Sequence, residues 1–174
     1  EISACLVGSE MCIRDSPNIK ESQANKALVD AVSDMEGVAV FNLYELSQEI
    51  AFNVDEWSKI ISDASAVIYQ FPFYWMSAPS LLKKWQDEVF TFLSKTPAVA
   101  GKSLTVVTTT GSEYEAYRSG GRNRFTMDEL LRPYQVSAIH SGMSWQTPIV
   151  VYGMGTADAG KNIAEGANLY KQRV

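Results

Sequence analysis

Residues 22–35 place apolar or small side chains at Ala24, Leu28, Ala31, Val32 and Met35, a helical repeat that Gly37 brings to an end. A short β-branched run over 38–41 predicts a strand, and 55–62 a helix with Trp57, Ile60 and Ile61 inward. Residues 66–71 (AVIYQF) are almost continuously apolar, as in a strand covered by helices on both faces. Pro79, in the first helical position, opens a helix through Leu93 whose apolar stripe is Leu81, Trp85, Val89 and Phe92. Residues 104–108 (LTVVT) predict the next strand. Thr126 and Glu129 form a capping box before Leu130, Leu131, Tyr134 and Ile139, with Pro133 set to bend that helix. A last strand is expected over 149–152 and a closing helix over 158–171. Strands alternating with helices imply one α/β domain built on a doubly wound parallel sheet.

The first sixteen residues, EISACLVGSEMCIRDS, do not fit this pattern. Glu1 leads where a secretory signal needs a basic start, and the apolar stretch 4–7 is too short. Residues 6–16 read instead as one frame of a transposon adapter used in building sequencing libraries. The expectation is therefore a domain within 1–174 whose coherent part is 17–174, with the native first strand replaced. A divergent first strand is the other reading.

Composition narrows the class. Of 174 residues 46% are hydrophobic and 20% charged, which suits a single folded domain. Fifteen Lys and Arg against twenty Asp and Glu give a net charge of −5, without the basic bias of a nucleic-acid binder. No apolar run approaches the roughly 18 residues that span a bilayer, so the expected setting is cytoplasmic. Cys5 and Cys12 both fall in the suspect segment and suggest neither a disulfide framework nor a metal site.

Open α/β sheets bind ligands beyond the carboxyl ends of their strands, which directs attention to three loops. Residues 16–25 run into the first helix, where unpaired N–H groups and the helix dipole favour an anion near Ser22, Ala24 and Asn25. Ser22 could equally serve as an ordinary helix cap. In the second loop Pro72, Phe73, Tyr74 and Trp75 make an aromatic wall suited to a flat apolar ligand or to a dimer interface. In the third, Thr109, Thr110 and Gly111 offer donors to a polar ring edge, with Tyr114 and Tyr117 following. Plain β-propensity threonines and surface tyrosines would read the same way.

Four stretches, PNIKESQANKAL, QFPFYWMSAPSLLKKWQDEVF, TTTGSEYEAYRSGGRNRFTMDELLRPYQ and GMSWQTPIVVYG, together resemble the flavodoxin-like NAD(P)H:quinone oxidoreductase family. That family includes the ancillary oxidoreductases of glutathione-gated potassium-efflux systems, and the likeness covers about 17–154. It implies a five-stranded parallel sheet of order 2-1-3-4-5. It also implies an enzyme that passes hydride from NAD(P)H to a flavin (FMN, with FAD possible) and then to a quinone or similar acceptor. By the same resemblance Ser22, Ala24 and Asn25 hold the flavin phosphate. Pro72, Phe73, Tyr74 and Trp75 border the ring, while Thr109, Thr110 and Gly111 meet its pyrimidine edge. Tyr117 falls where the family has a tyrosine over the active site, and Asn123 where relatives often carry a histidine. Ser16 stands where the family has the histidine of Gly-His-Pro. A homodimer is implied, and a potassium-efflux transporter is a further possible partner, at the inner face of the membrane. Two other readings are a regulatory subunit of such a transporter and a flavodoxin that carries single electrons.

Overall fold

In a computed structural model the chain is described over residues 9–17, 22–46 and 51–174. Six parallel strands form one sheet: β1 (Ser9–Arg14), β2 (Val38–Asn42), β3 (Ala64–Pro72), β4 (Ser103–Thr109), β5 (Ser144–Trp145) and β6 (Ile149–Val151). Their order is β2-β1-β3-β4-β5, with β6 also on β4. This is the predicted flavodoxin-like order, with the last strand in two pieces. β5 pairs Ser103 and Leu104, and β6 pairs Val107 to Thr109. Pro148, which has no N–H to give a ladder, stands between them.

Helices cover both faces. They are α1 (Gln23–Val32), α2 (Val54–Asp63), α3 (Ser80–Trp85, a π turn Gln86–Phe90, then Thr91–Leu93), α4 (Met127–Leu130), α5 (Arg132–His140) and α6 (Ala159–Arg173). One apolar cluster packs β1, β3 and β4 against α2, α3 and α5 through Trp57, Tyr69, Trp85 and Tyr134. On the other face Leu28 and Val32 of α1 meet Ile68, Val107 and Tyr170 of α6.

Two expectations are corrected here. Pro79 is the residue before α3 and not its first, and the helix contains a π turn. That turn adds a residue to the repeat, so Phe90 and Leu93 go inward while Phe92 is 63% exposed; Leu82, ahead of the turn, is buried as well. The Thr126–Glu129 capping box forms, but the helix stops at Leu131 and restarts with Pro133 in its first turn. Ile139 consequently faces solvent, and His140 ends α5.

The N-terminal segment supplies a strand. Met11, Cys12 and Ile13 are fully buried in β1, which lies between β2 and β3. Three consecutive apolar residues satisfy a strand buried on both faces, whatever their origin. Residues 1–8 of the segment lie outside the described residues. The adapter origin concerns the gene, and a genomic read across codon 17 decides it.

β1 ends poorly. Arg14 Nε, Asp15 Oδ1 and Ser16 Oγ are buried without a hydrogen-bond partner among the described residues, an arrangement that costs about 1–3 kcal/mol per group. Burial raises the Asp15 carboxyl above its ordinary range, against the pull of hydrogen bonds from the Leu82 N–H and from Tyr44. A carboxyl raised on folding opposes folding when ionised. The penalty is complete above the folded pKa and vanishes as pH falls toward the unfolded value. Asp15→Asn keeps an acceptor for the Leu82 N–H, which Asp15 Oδ2 meets at 2.7 Å. It is expected to raise Tm at pH 7 by about 2–4 °C, or about 1 kcal/mol, and to lose that advantage near pH 4. Equal melting of both proteins at pH 7 would contradict the assignment.

Candidate functional site

A cleft of about 370 Å³ lies beyond the carboxyl ends of β3 and β4. Ser22, Gln23 and Ala24 form one side at the start of α1, Pro72 and Tyr74 the second, and Thr109 and Gly111 the third. Met154, after β6, and Ala159 and Ile163, on the first turns of α6, complete it.

Each wall has a local cause. The first N–H groups of α1 have no acceptor within the helix, and the macrodipole makes them an electropositive start. Ser22 does not cap them with its side chain; its Oγ accepts from Asn25 Nδ2 at 3.3 Å. Ser22 occupies the N-cap position, its carbonyl accepting from the Lys26 N–H at 3.0 Å, without a side-chain cap. Residues 18–21 of the same loop lie outside the described residues.

After β3 the chain makes a two-residue hairpin. Tyr74 and Ser77 exchange N–H···O bonds of 2.8 and 2.9 Å, with Trp75 and Met76 both at positive φ (44° and 63°). Its base rests on α5, where the Tyr134 hydroxyl accepts from the Ala78 N–H at 3.0 Å. Tyr74 is thus held on the cleft, while Trp75 is 97% exposed at the tip. Phe73 turns the other way, its ring 6.1 Å from that of Tyr117.

After β4 the chain passes under the β6–α6 segment. Gly155 N–H donates to Gly111 O at 2.9 Å, and a Cβ on Gly155 would stand 3.1 Å from that oxygen. Thr110 is buried, its hydroxyl given to Ser112 O at 2.7 Å. Tyr117 is also buried, packed between Phe73 and Tyr152. Burial and its tyrosine and Asp128 neighbours push Tyr152 up to about 12, so it stays a neutral phenol at physiological pH.

Of the twelve residues expected at a site, the structure gathers Ser22, Ala24, Pro72, Tyr74, Thr109 and Gly111 around one cleft. Asn25 lies buried, joined to Ser22 and Thr109, and Thr110 is spent within its own loop. Phe73 and Tyr117 pack together, Trp75 stands in solvent, and Asn123 is fastened by its N–H to Ala116 O at 3.0 Å. Gln23, Met154, Ala159 and Ile163 were not legible in advance. Only the first had a signal, as a neighbour of two chosen positions on the first turn of α1.

A larger hollow of about 510 Å³ between residues 113–115 and α6 is lined by Glu113, Glu115, Asp158 and Glu165. Four carboxylates repel an anion, whereas the smaller cleft presents hydroxyls, a helix start and an aromatic ring. Among the described residues no three His, Cys, Asp or Glu side chains group to hold a metal ion. None of the described helices is long and apolar enough to cross a membrane.

Gln23 offers a clean electrostatic test, being exposed on the first turn of α1 and on the cleft. Gln23→Glu should stabilise the protein by about 0.3–1 kcal/mol through the dipole while weakening a phosphate ligand about tenfold. Thermal melts and FMN titrations of the two proteins read these opposite signs.

The family model Flavodoxin_2, described as a flavodoxin-like fold, matches residues 11–174. The uncharacterized NAD(P)H oxidoreductase YdeQ of Bacillus subtilis is 35% identical over 162 residues, 91% of this chain and 82% of that protein. The glutathione-regulated potassium-efflux system ancillary protein KefG of Pectobacterium atrosepticum is 34% identical over 140 residues, covering 78% of this chain and 76% of its own. The crystal structure of general stress protein 14 from Treponema denticola in complex with FMN matches with a TM-score of 0.85 and 27% identity, over 95% of this chain and 97% of that one.

Proposed function

The chain belongs to the Flavodoxin_2 family, with its flavodoxin-like fold, and on that premise we propose that it is an FMN-dependent NAD(P)H:quinone oxidoreductase. One observation carries the reading: the start of α1, Tyr74 and Gly111 meet at a single cleft beyond the strand ends. The cleft's volume of about 370 Å³ lies within the range of small-molecule sites. Its donor set fits a phosphate at one end and a flat ring at the other. The FMN complex of general stress protein 14 and the name of YdeQ support the same cofactor and donor.

When bound, the flavin supplies the hydride chemistry, from NAD(P)H to flavin N5 and then to a quinone in a ping-pong cycle. The protein's part is to bind, orient and exclude water. The N–H groups opening α1 and the Ser22 hydroxyl hold the phosphate. Tyr74 and Pro72 support the ring, and Thr109 and Gly111 meet its polar edge. Buried Tyr117 supports Phe73 and Tyr152 and acts as a packing residue behind the site. Asn123 stands where relatives often carry a histidine, and its amide has no titratable proton to pass at neutral pH. The exposed hairpin tip, Trp75 with Met76, suits a homodimer contact beside the cleft. The likeness to KefG supports a potassium-efflux transporter as a second partner, which co-purification tests.

Purified protein incubated with FMN and freed of excess should keep flavin absorbance. That absorbance should bleach anaerobically with NADH or NADPH and return on adding a benzoquinone. Protein that stays colourless after reconstitution would overturn the proposal.

A further inference from the structure

We infer that Asn25 is a positioning residue that fixes the hydrogen-bond polarity of the cleft, making the Ser22 and Thr109 hydroxyls donors toward a phosphate-bearing ligand; this rests on the flavin reading above. Asn25 is fully buried and is not part of the cleft lining. Its amide nitrogen donates to Ser22 Oγ at 3.3 Å and to Thr109 Oγ1 at 3.0 Å. An amide N–H can only donate, so both hydroxyls act as acceptors in these bonds and keep their own protons for other partners. Both hydroxyl residues line the cleft. A ligand entering there meets O–H donors at the phosphate end and at the ring end, set by one side chain beneath them.

The arrangement is held from a third element. Gln70 Nε2 of β3 donates to the Asn25 carbonyl at 3.0 Å, so α1, β3 and β4 converge on this residue. Asn25 Oδ1, by contrast, is buried with no partner among the described residues. Turning the amide over would pair that oxygen with both hydroxyls and consume their protons. It would also leave two N–H donors unpaired in place of one oxygen, so the protein itself favours the observed orientation. A ligand that accepts the hydroxyl protons reinforces it.

Asn25→Asp separates this role from packing, because it preserves shape and can only accept. The carboxylate would take both hydroxyl protons and present lone pairs and negative charge to the cleft. Wild type, Asn25→Asp, Asn25→Ala and Ser22→Ala are titrated with FMN and with riboflavin, which lacks the phosphate, by flavin fluorescence. Asn25→Asp should weaken FMN about 100-fold and riboflavin about tenfold or less, consistent with charged hydrogen-bond losses, and exceed the loss in Asn25→Ala. Ser22→Ala, which leaves the buried network's core in place, should weaken FMN alone. An FMN-to-riboflavin affinity ratio unchanged within twofold in both Asn25→Asp and Ser22→Ala would overturn the inference. If Asn25→Asp fails to fold, Ser22→Ala alone decides by the same ratio. Should wild type bind neither flavin, the functional reading falls and inorganic phosphate becomes the probe. Thermal stabilisation by phosphate that Ser22→Ala abolishes sustains the inference, and any other result overturns it.

Discussion

Trp85→Ala is expected to lower the unfolding free energy by about 3–5 kcal/mol and Tm by about 6–20 °C, the largest single effect of any substitution considered. Trp85 is fully buried where α3 enters its π turn. Its ring stands 5.2 Å from Trp57, 6.0 Å from Tyr69 and 6.0 Å from Phe90, centroid to centroid. Truncation empties the centre of an aromatic cluster whose members come from α2, α3 and β3, and rings on rigid elements cannot collapse into the space. The indole N–H has no hydrogen-bond partner among the described residues, so part of the native packing already works against an orphaned donor. Trp85→Phe removes that donor and keeps most of the volume, and should cost less than about 1.5 kcal/mol. Urea titrations with unchanged m-values would check both numbers. Similar losses for Ala and Phe would show that the hydrogen-bonding state of the indole, and not its volume, dominates.

Gly121→Ala should be the second most damaging change, by about 1–3 kcal/mol. A Cβ there would stand 2.0 Å from the Glu115 carbonyl oxygen and 2.9 Å from that of Ala116. Both are backbone atoms, so no side-chain rotation relieves the clash. The loop between β4 and α4 must open, and Tyr117, packed on Phe73 and Tyr152, leaves with it. The sheet is untouched, since Gly121 lies outside every strand. Limited proteolysis should therefore cut the variant between residues 113 and 124 much faster than wild type, with far-UV dichroism nearly unchanged. Cleavage at the wild-type rate would rule out the steric argument.

The strands were legible because they carry their own signature, whereas their order came from the family resemblance. Residues 66–71 are apolar on both faces, and only a strand between two helical layers asks for that. The Thr126–Glu129 box formed as written because capping is local chemistry between residues three apart. The π turn was not legible, since one residue inserted into a helix leaves composition and spacing unchanged on either side. It transferred the inward role from Phe92 to Phe90 and Leu93. β1 carries mixed signals. Its apolar centre meets the needs of a buried strand, while Arg14, Asp15 and Ser16 just beyond it leave polar atoms unpaired.

At the site the legible part was the helix start and the loop tips, where residue type signals chemistry directly. Ser22, Tyr74 and Gly111 fall together. Met154, Ala159 and Ile163 carry no chemical signal of their own. They reach the cleft because the β6–α6 segment folds over Gly111, a contact across 44 positions that no local pattern announces. Phe73 and Tyr74 are neighbours with opposite destinations, as strand-like alternation requires. Tyr74 goes to the cleft and Phe73 to Tyr117.

The hairpin after β3 sets stability against use. Left-handed backbone suits Asn-Gly, and Trp75-Met76 holds it at a cost of about 1–3 kcal/mol per bulky residue. A tryptophan displayed almost wholly to water buries no surface against the rest of the chain. The tip and the base of the hairpin are therefore separable: Asn or Gly at Trp75 would relax the turn and leave the Tyr134 anchor beneath it untouched.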